Sequence, residues 1–363
     1  MSHQIEQMIY LGATPWHGLG TRLDVAPAST AEAIKLAGLD WTIAMEQLQL
    51  PDGTAVDRFA VVRQSDRSVL GTVGNVWEPV QNAKAFEPFE PFIAGGHATI
   101  ETAGSLRGGR RVWMLAKLNR ADSVIVPQAD DRVAKYLLVA IGHDGTLAFR
   151  IGYTPIRVVC NNTLSVAIHS KESTYVRLPH LSGVNAAIDK VTTTIAGVDA
   201  RFEKTAEVFR ALAARKIRNV AELHAYVDAV YPPAKTAAAK TLGEEVTPGA
   251  ESFADLLTGA ARISETTTTF IGQAPVLAEQ AAVEETRRRI RDEIEYLFTQ
   301  GKGNALAGVA GTAWAAYNAV TDHLTWHRGG AKNQDSRLEN LWLSNSGPVS
   351  RALPAAVDTF LNN

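Results

Sequence analysis

Between Ser105 and Leu118 the chain reads SLRGGRRVWMLAKL, a glycine turn bracketed by arginines and followed by a run of strand character. Side chains alternate between the two faces of a strand. Val112, Met114, Ala116 and Leu118 therefore share one face, and Arg111, Trp113, Leu115 and Lys117 share the other. The first set reads as core. The second interleaves a ring with cations, and a groove for single-stranded nucleic acid needs cations for phosphates and flat rings for bases. Arg107 and Arg110 lie on the adjoining glycine turn, and Arg150 and Arg157 on nearby strand-like runs extend the set. The competing expectation is a face that is merely solvated, or one covered by a helix.

Other residues could do different chemistry. Trp16 and His17 sit among the glycines of GATPWHGLGT, either as a catalytic loop or as a plug; the expectation is a plug, with Trp16 buried and His17 hydrogen-bonded. His143, Asp144 and Gly145 read first as a hairpin turn, and second, with His17, as the acid–base groups of an enzyme cleft. His323 and His327 stand four apart, a metal-ligand spacing, but no glutamate follows His323. A solvent-facing pair near a helix C-terminus, without metal, is expected there. Cys160 shares a strand face with Ile156 and Val158 and reads as a buried thiol. As the single cysteine it excludes an internal disulfide and a multi-cysteine zinc site. GSLRGGR lacks the spacing and the lysine–hydroxyl pair of a nucleotide loop, and GATPWHGLG follows no strand, so no cofactor is expected.

The elements that must position these residues change character along the chain. TAEAIKLAGLDW reads as a short helix with Thr30 as N-cap and Gly38 as its stop. The strand-like runs RFAVVRQ, SVLGTVG, RRVWMLAKL, KYLLVAIG, TLAFRIGY and IRVVCNN follow, and the short connections SDRS and HDG imply antiparallel pairing. NAKAFEPFEPFIAGG reads as helix interrupted by Pro88 and Pro91. From about residue 182 the apolar positions Val184, Ile188, Val191, Ile195, Val198, Phe202, Phe209 and Leu212 form a heptad-like seam on a helix of roughly 30 residues, either packed on its own sheet or shared between subunits. Three helical stretches come next: NVAELHAYVDAVY, GAESFADLLTGAARIS and a charged helix over 276–300 closed by Gly301. A last one is capped by Thr312 and stopped near Gly329. PPAKTAAAKTLG reads as a linker. The fold class expected is α+β: an antiparallel sheet backed by a long helix over residues 1–180, a helical region over 181–330, and a polar, partly extended tail over 331–363.

Composition bounds the rest. The 363 residues are 46% hydrophobic and 20% charged, enough apolar surface for a globular core. A formal net charge of −2 leaves no basic field over the whole protein, so an anion site must come from local clustering. Neither a signal peptide nor a membrane-spanning run is visible, and a cytoplasmic protein is expected.

Several of these stretches recur together and in one order: PWHGLGT, AGLDW, VLGTVGNVWEPVQN, ETAGSLRGGRRVWMLAKL, HDGTLAFRIGYTPIRVVCNNTL and GTAWAAYNAVTDHLTWHR. In this the chain resembles the phage/plasmid-like protein family, a group defined by a domain of unknown function, with proline in place of alanine before Trp16. The resemblance implies a mobile-element context and assigns no activity. At the level of fold, a strand-rich sheet followed by a long helix is similar to ring-forming single-strand annealing proteins. The combined expectation is an oligomeric, non-enzymatic protein that binds or anneals single-stranded DNA. The alternatives are an enzyme built on His17, His143 and Asp144, and a partner-binding structural protein of the element.

Overall fold

The computed structural model describes residues 5–12, 19–119, 122–157, 162–163, 175–195, 198–232, 261–327 and 348–362. Trp16, His17 and Cys160 lie outside them, as do the stretch read as a linker and the stop expected near Gly329.

The fold is α+β. A nine-stranded sheet runs in the order β11 (Asn162–Thr163), β10 (Phe149–Arg157), β9 (Asp131–Gly142), β7 (Arg111–Leu118), β6 (Ala98–Leu106), β1 (Ile5–Leu11), β2 (Thr21–Leu23), with β12 (Tyr175–Leu178) also on β10 and β8 (Ser123–Val126) on β9. Its pairs are antiparallel except β1 with β2, which run parallel. A second, three-stranded antiparallel sheet holds β3 (Ile43–Gln49), β4 (Ala55–Arg63) and β5 (Val69–Val73). Both short connections read from the sequence, SDRS and HDG, join antiparallel neighbours. They do so in different sheets, a division that strand periodicity alone does not encode.

Helix α1 (Thr30–Leu36) is capped one residue earlier than expected: the Ser29 hydroxyl accepts from the Glu32 N–H, and Gly38 follows the end at φ +63°. Pro88 and Pro91 split the next helical stretch into α2 (Asn82–Phe86), a 3-10 turn and α3 (Glu90–Ala94), each proline opening a new segment where its missing N–H costs nothing.

The expected helix of roughly 30 residues is described as two, α4 (Val184–Ile195) and α5 (Val198–Ala214), on either side of residues 196–197. Its seam faces inward. Val184, Ile188, Val191, Phe202, Phe209 and Leu212 are buried in the main core of this same chain. That core runs without a break from Ile9 to Phe360, so the sheet and the helical region share it. A hydrogen bond of 2.8 Å from Trp314 Nε1 to the buried Asp131 carboxylate ties the two together.

After α6 (Val220–Val230) the next described helix is α7 (Ala261–Gln300), which starts well before the expected residue 276; most of the helix expected at GAESFADLLTGAARIS lies outside the described residues. Helix α8 (Ala313–Asp322) has Thr312 as its N-cap and continues into a π-helical turn, His323–His327. The expected polar tail is corrected at its end: α9 (Pro348–Phe360) is a helix that buries Val349, Ala352, Leu353, Ala356 and Phe360. Alternating polar and apolar residues look extended in a short window, yet here they fall at helical spacing against α6. Among the described residues no helix is long and apolar enough to cross a membrane.

Candidate functional site

Strand β7 does not present the open face expected of it. Val112, Met114 and Ala116 enter the main core, while Trp113 and Leu115 enter a second apolar cluster with Ile5, Met8, Leu106 and Leu138. Trp113 has 0% of its surface exposed, so its ring cannot stack a base. Alternation separates the two faces of a strand but does not say what covers them, and this central strand is covered on both.

Arg111 is also buried. Its guanidinium pairs with the Asp144 carboxylate and donates to the Thr146 hydroxyl. Burial would raise the Asp144 carboxyl, but hydrogen bonds from Arg111 and the Thr146 N–H hold it below its usual range. Arg150 is buried at 6% exposure, beside Ala140 on one neighbouring strand and Arg177 on the other. Lys117 is half-buried at the far end of β7, and Arg157 ends β10.

Of the expected cations whose side chains are described, Arg107 and Arg110 are the two that are exposed. They flank the tip of the β6–β7 hairpin, where Arg107, Gly108 and Gly109 take φ of +56°, +64° and +84°. Only glycine adopts such angles without strain, which fixes the two glycines at the apex. Gly109 also lies so close to Trp41 that an added Cβ would meet the ring at 3.2 Å.

Trp41 keeps part of its surface exposed, and the guanidinium of Arg63 sits over the ring at 5.2 Å. Arg63 is held there by Glu6 at 2.8 Å and Asp66 at 2.6 Å. The structure thus brings an accessible ring beside two exposed arginines. Trp41, read from the sequence as the end of the helix TAEAIKLAGLDW, was not singled out because no periodicity marks it there; its neighbour Gly109 is 68 positions away in sequence.

His143 and Asp144 do not form a cleft. His143 is fully buried, with Nε2 2.8 Å from Asn82 Oδ1. Asn82 donates its own Nδ2 to the Leu39 carbonyl, so its oxygen accepts and the imidazole proton stands on Nε2. Burial pushes the His143 pKa down to about 3, and the ring lies edge-on to Trp41. His180, which the sequence did not single out, donates from Nδ1 to the Glu78 carbonyl and stacks on Trp77 at 4.7 Å, with its pKa also lowered by burial. His143 thus supports Trp41 and the β6–β7 hairpin, and His180 supports Trp77.

The solvent-facing pair expected at His323 and His327 is half right. His327 is exposed, but His323 is buried at 4%, because α8 passes through the core and the π-helical turn extends it inward. Among the described residues no group of three His, Cys, Asp or Glu could hold a metal ion.

In comparison with known proteins, the family described as Domain of unknown function (DUF932) matches residues 69–342. No curated protein and no solved structure matches the chain.

Proposed function

The chain belongs to the family Domain of unknown function (DUF932), and from that premise we propose that it binds single-stranded DNA through the β6–β7 hairpin, as an oligomeric protein of a phage or plasmid. The observation that carries this reading is the partly buried Trp41 ring, which keeps some of its surface exposed, lying against Gly109 of a hairpin tip flanked by exposed Arg107 and Arg110. The arginines supply charge for phosphates and the ring a surface for one base. Arg63 stiffens the ring from one side, which lowers the cost of ordering it on binding. Charge for phosphates and a ring for a base are what binding or annealing a single strand requires.

The test is a gel shift with a labelled oligonucleotide at several salt concentrations, paired with light scattering for mass. The wild-type chain should bind, with affinity falling as salt rises. Replacing both Arg107 and Arg110 by Ala should reduce the slope of log affinity against log salt by about 1.4, at roughly 0.7 per phosphate contact on a single strand. A slope unchanged by the double substitution would remove the hairpin from the interface.

A further inference from the structure

The helical region carries a second polar cluster that the hairpin does not use. Tyr231 ends α6, His323 and His327 bracket the π-helical turn, and Glu293 meets them from α7. Tyr231 Oη lies 2.8 Å from Nδ1 of His323, and the two rings stand edge to face. The other imidazole nitrogen, Nε2, is 3.6 Å from Oε2 of Glu293. Oε1 of the same carboxylate is 3.5 Å from Nδ1 of His327, whose Nε2 is 3.7 Å from Asp322. Widened turns of this kind recur at functional sites, and here the two imidazoles meet different oxygens of one carboxylate.

We propose that Tyr231, His323 and Glu293 act as nucleophile, base and orienting carboxylate on phosphodiesters. A carboxylate beside Nε2 favours the tautomer protonated there, which leaves the Nδ1 lone pair to accept from the Tyr231 hydroxyl. As Oη bonds to phosphorus, its proton passes to Nδ1 and the bond from phosphorus to the leaving oxygen breaks. The leaving oxygen departs in line on the far side of phosphorus and takes a proton from water, while the imidazolium, held beside Glu293, gives its own to water. The products are a tyrosyl phosphodiester and an alcohol, so atoms and charge balance without a cofactor.

Anion recognition comes from Arg351. Its Nε donates to the carbonyl of Val230, the residue before Tyr231, at 2.8 Å. The guanidinium is half-buried and has no carboxylate partner among the described residues, so its terminal N–H groups remain to clamp a phosphoryl group. Tyr231 keeps part of its surface exposed while His323 is buried, which shields the base. DNA as the natural diester rests on the hairpin reading; the chemistry itself does not.

The test uses two probes on the full chain. Bis(p-nitrophenyl) phosphate reports the chemistry without any need of the hairpin, and a labelled oligonucleotide resolved on a denaturing gel reports a covalent adduct. The wild-type chain should release nitrophenolate in a burst of about one per chain and carry an adduct that peptide mass places on Tyr231. Tyr231→Phe should lose both while keeping a cooperative melting transition, lowered only by the loss of its hydrogen bond to His323, and His323→Gln should slow the burst about 100-fold or more. A wild-type chain that shifts the oligonucleotide but gives neither burst nor adduct overturns the triad and leaves the hairpin reading standing. A burst without oligonucleotide binding supports the triad and sinks the hairpin. An adduct on another residue overturns the triad whether or not the variants fold.

Discussion

Two hairpin tips lie side by side at one end of the large sheet, and they treat their charges in opposite ways. Arg111 on β7 stands opposite Gly142 on β9, and the His143 N–H donates to the Arg110 carbonyl at 2.9 Å. The β6–β7 tip leaves Arg107 and Arg110 in solvent. The β9–β10 tip binds its carboxylate to Arg111 and sinks its histidine into the interior. Gly71 of β5 closes over that second tip, so near that an added Cβ would stand 2.5 Å from the Asp144 Cα. Similar turns with similar polar residues thus become an exposed tip or a fixed support according to what packs on them. A charge becomes structural when burial makes its partner indispensable, whereas an exposed charge gains little from any one partner.

The largest expected effect breaks the comparison at its paired arginine. Arg111→Ala leaves the largely buried Asp144 carboxylate without its cationic partner, held only by Thr146, and the unfolding free energy in urea should drop by about 3 kcal/mol. Arg110→Ala, one residue away, should change it by less than about 0.5 kcal/mol. Equal effects would mean that the two tips do not differ as described.

A pH series sharpens the contrast further. His143 is neutral when folded and has a pKa of about 3, against an ordinary value of 6.5, so the unfolded chain takes up its proton first as pH falls. Its contribution is full above pH 6.5 and is lost as pH drops toward 3, by up to about 1.4 kcal/mol per pH unit. His143→Gln should flatten the wild-type loss of stability between pH 6.5 and 4. The lowered Asp144 pKa acts in the same direction but below the ordinary carboxylate range, so the two contributions separate along the pH axis. A wild-type chain equally stable at pH 7 and pH 4.5 would contradict the neutral, buried imidazole.

The smallest effect belongs to the open tip. Trp41→Ala should weaken oligonucleotide binding by roughly 1–3 kcal/mol with little change in salt slope, because stacking releases no counterions. Were the slope to change and the affinity at low salt to stay, Trp41 would be a support for the hairpin and no platform for a base.

Much of this chain can be read one segment at a time. The strand runs of β4, β5, β7, β9 and β10, the Thr312 cap, the Gly301 stop and the proline breaks all follow from interactions between residues a few positions apart. Thr30 was misplaced by one position because Ser29 and Thr30 are both good caps, and only the Ser29 hydroxyl reaches the Glu32 N–H. Strands β1 and β6 escaped because IEQMIYL and ATIETAGSL alternate weakly; they are strands because each finds a partner in the other. The seam of α4 and α5 was legible as apolar spacing, yet the spacing is the same whether it closes on a second copy or, as here, on its own core.

What the sequence settled by itself was therefore local: the α+β class, the antiparallel hairpins and the apolar faces, since backbone periodicity and capping depend on neighbours within one turn or one strand pair. The tertiary structure decided which of those faces meets water. It buried Trp113 and Arg111, joined His143 to Asn82 across 61 positions and Tyr231 to His323 across 92, and left Arg107, Arg110 and part of Trp41 outside. Burial and charge pairing are set by whichever distant segment packs against a residue, and no window of sequence around that residue contains the segment.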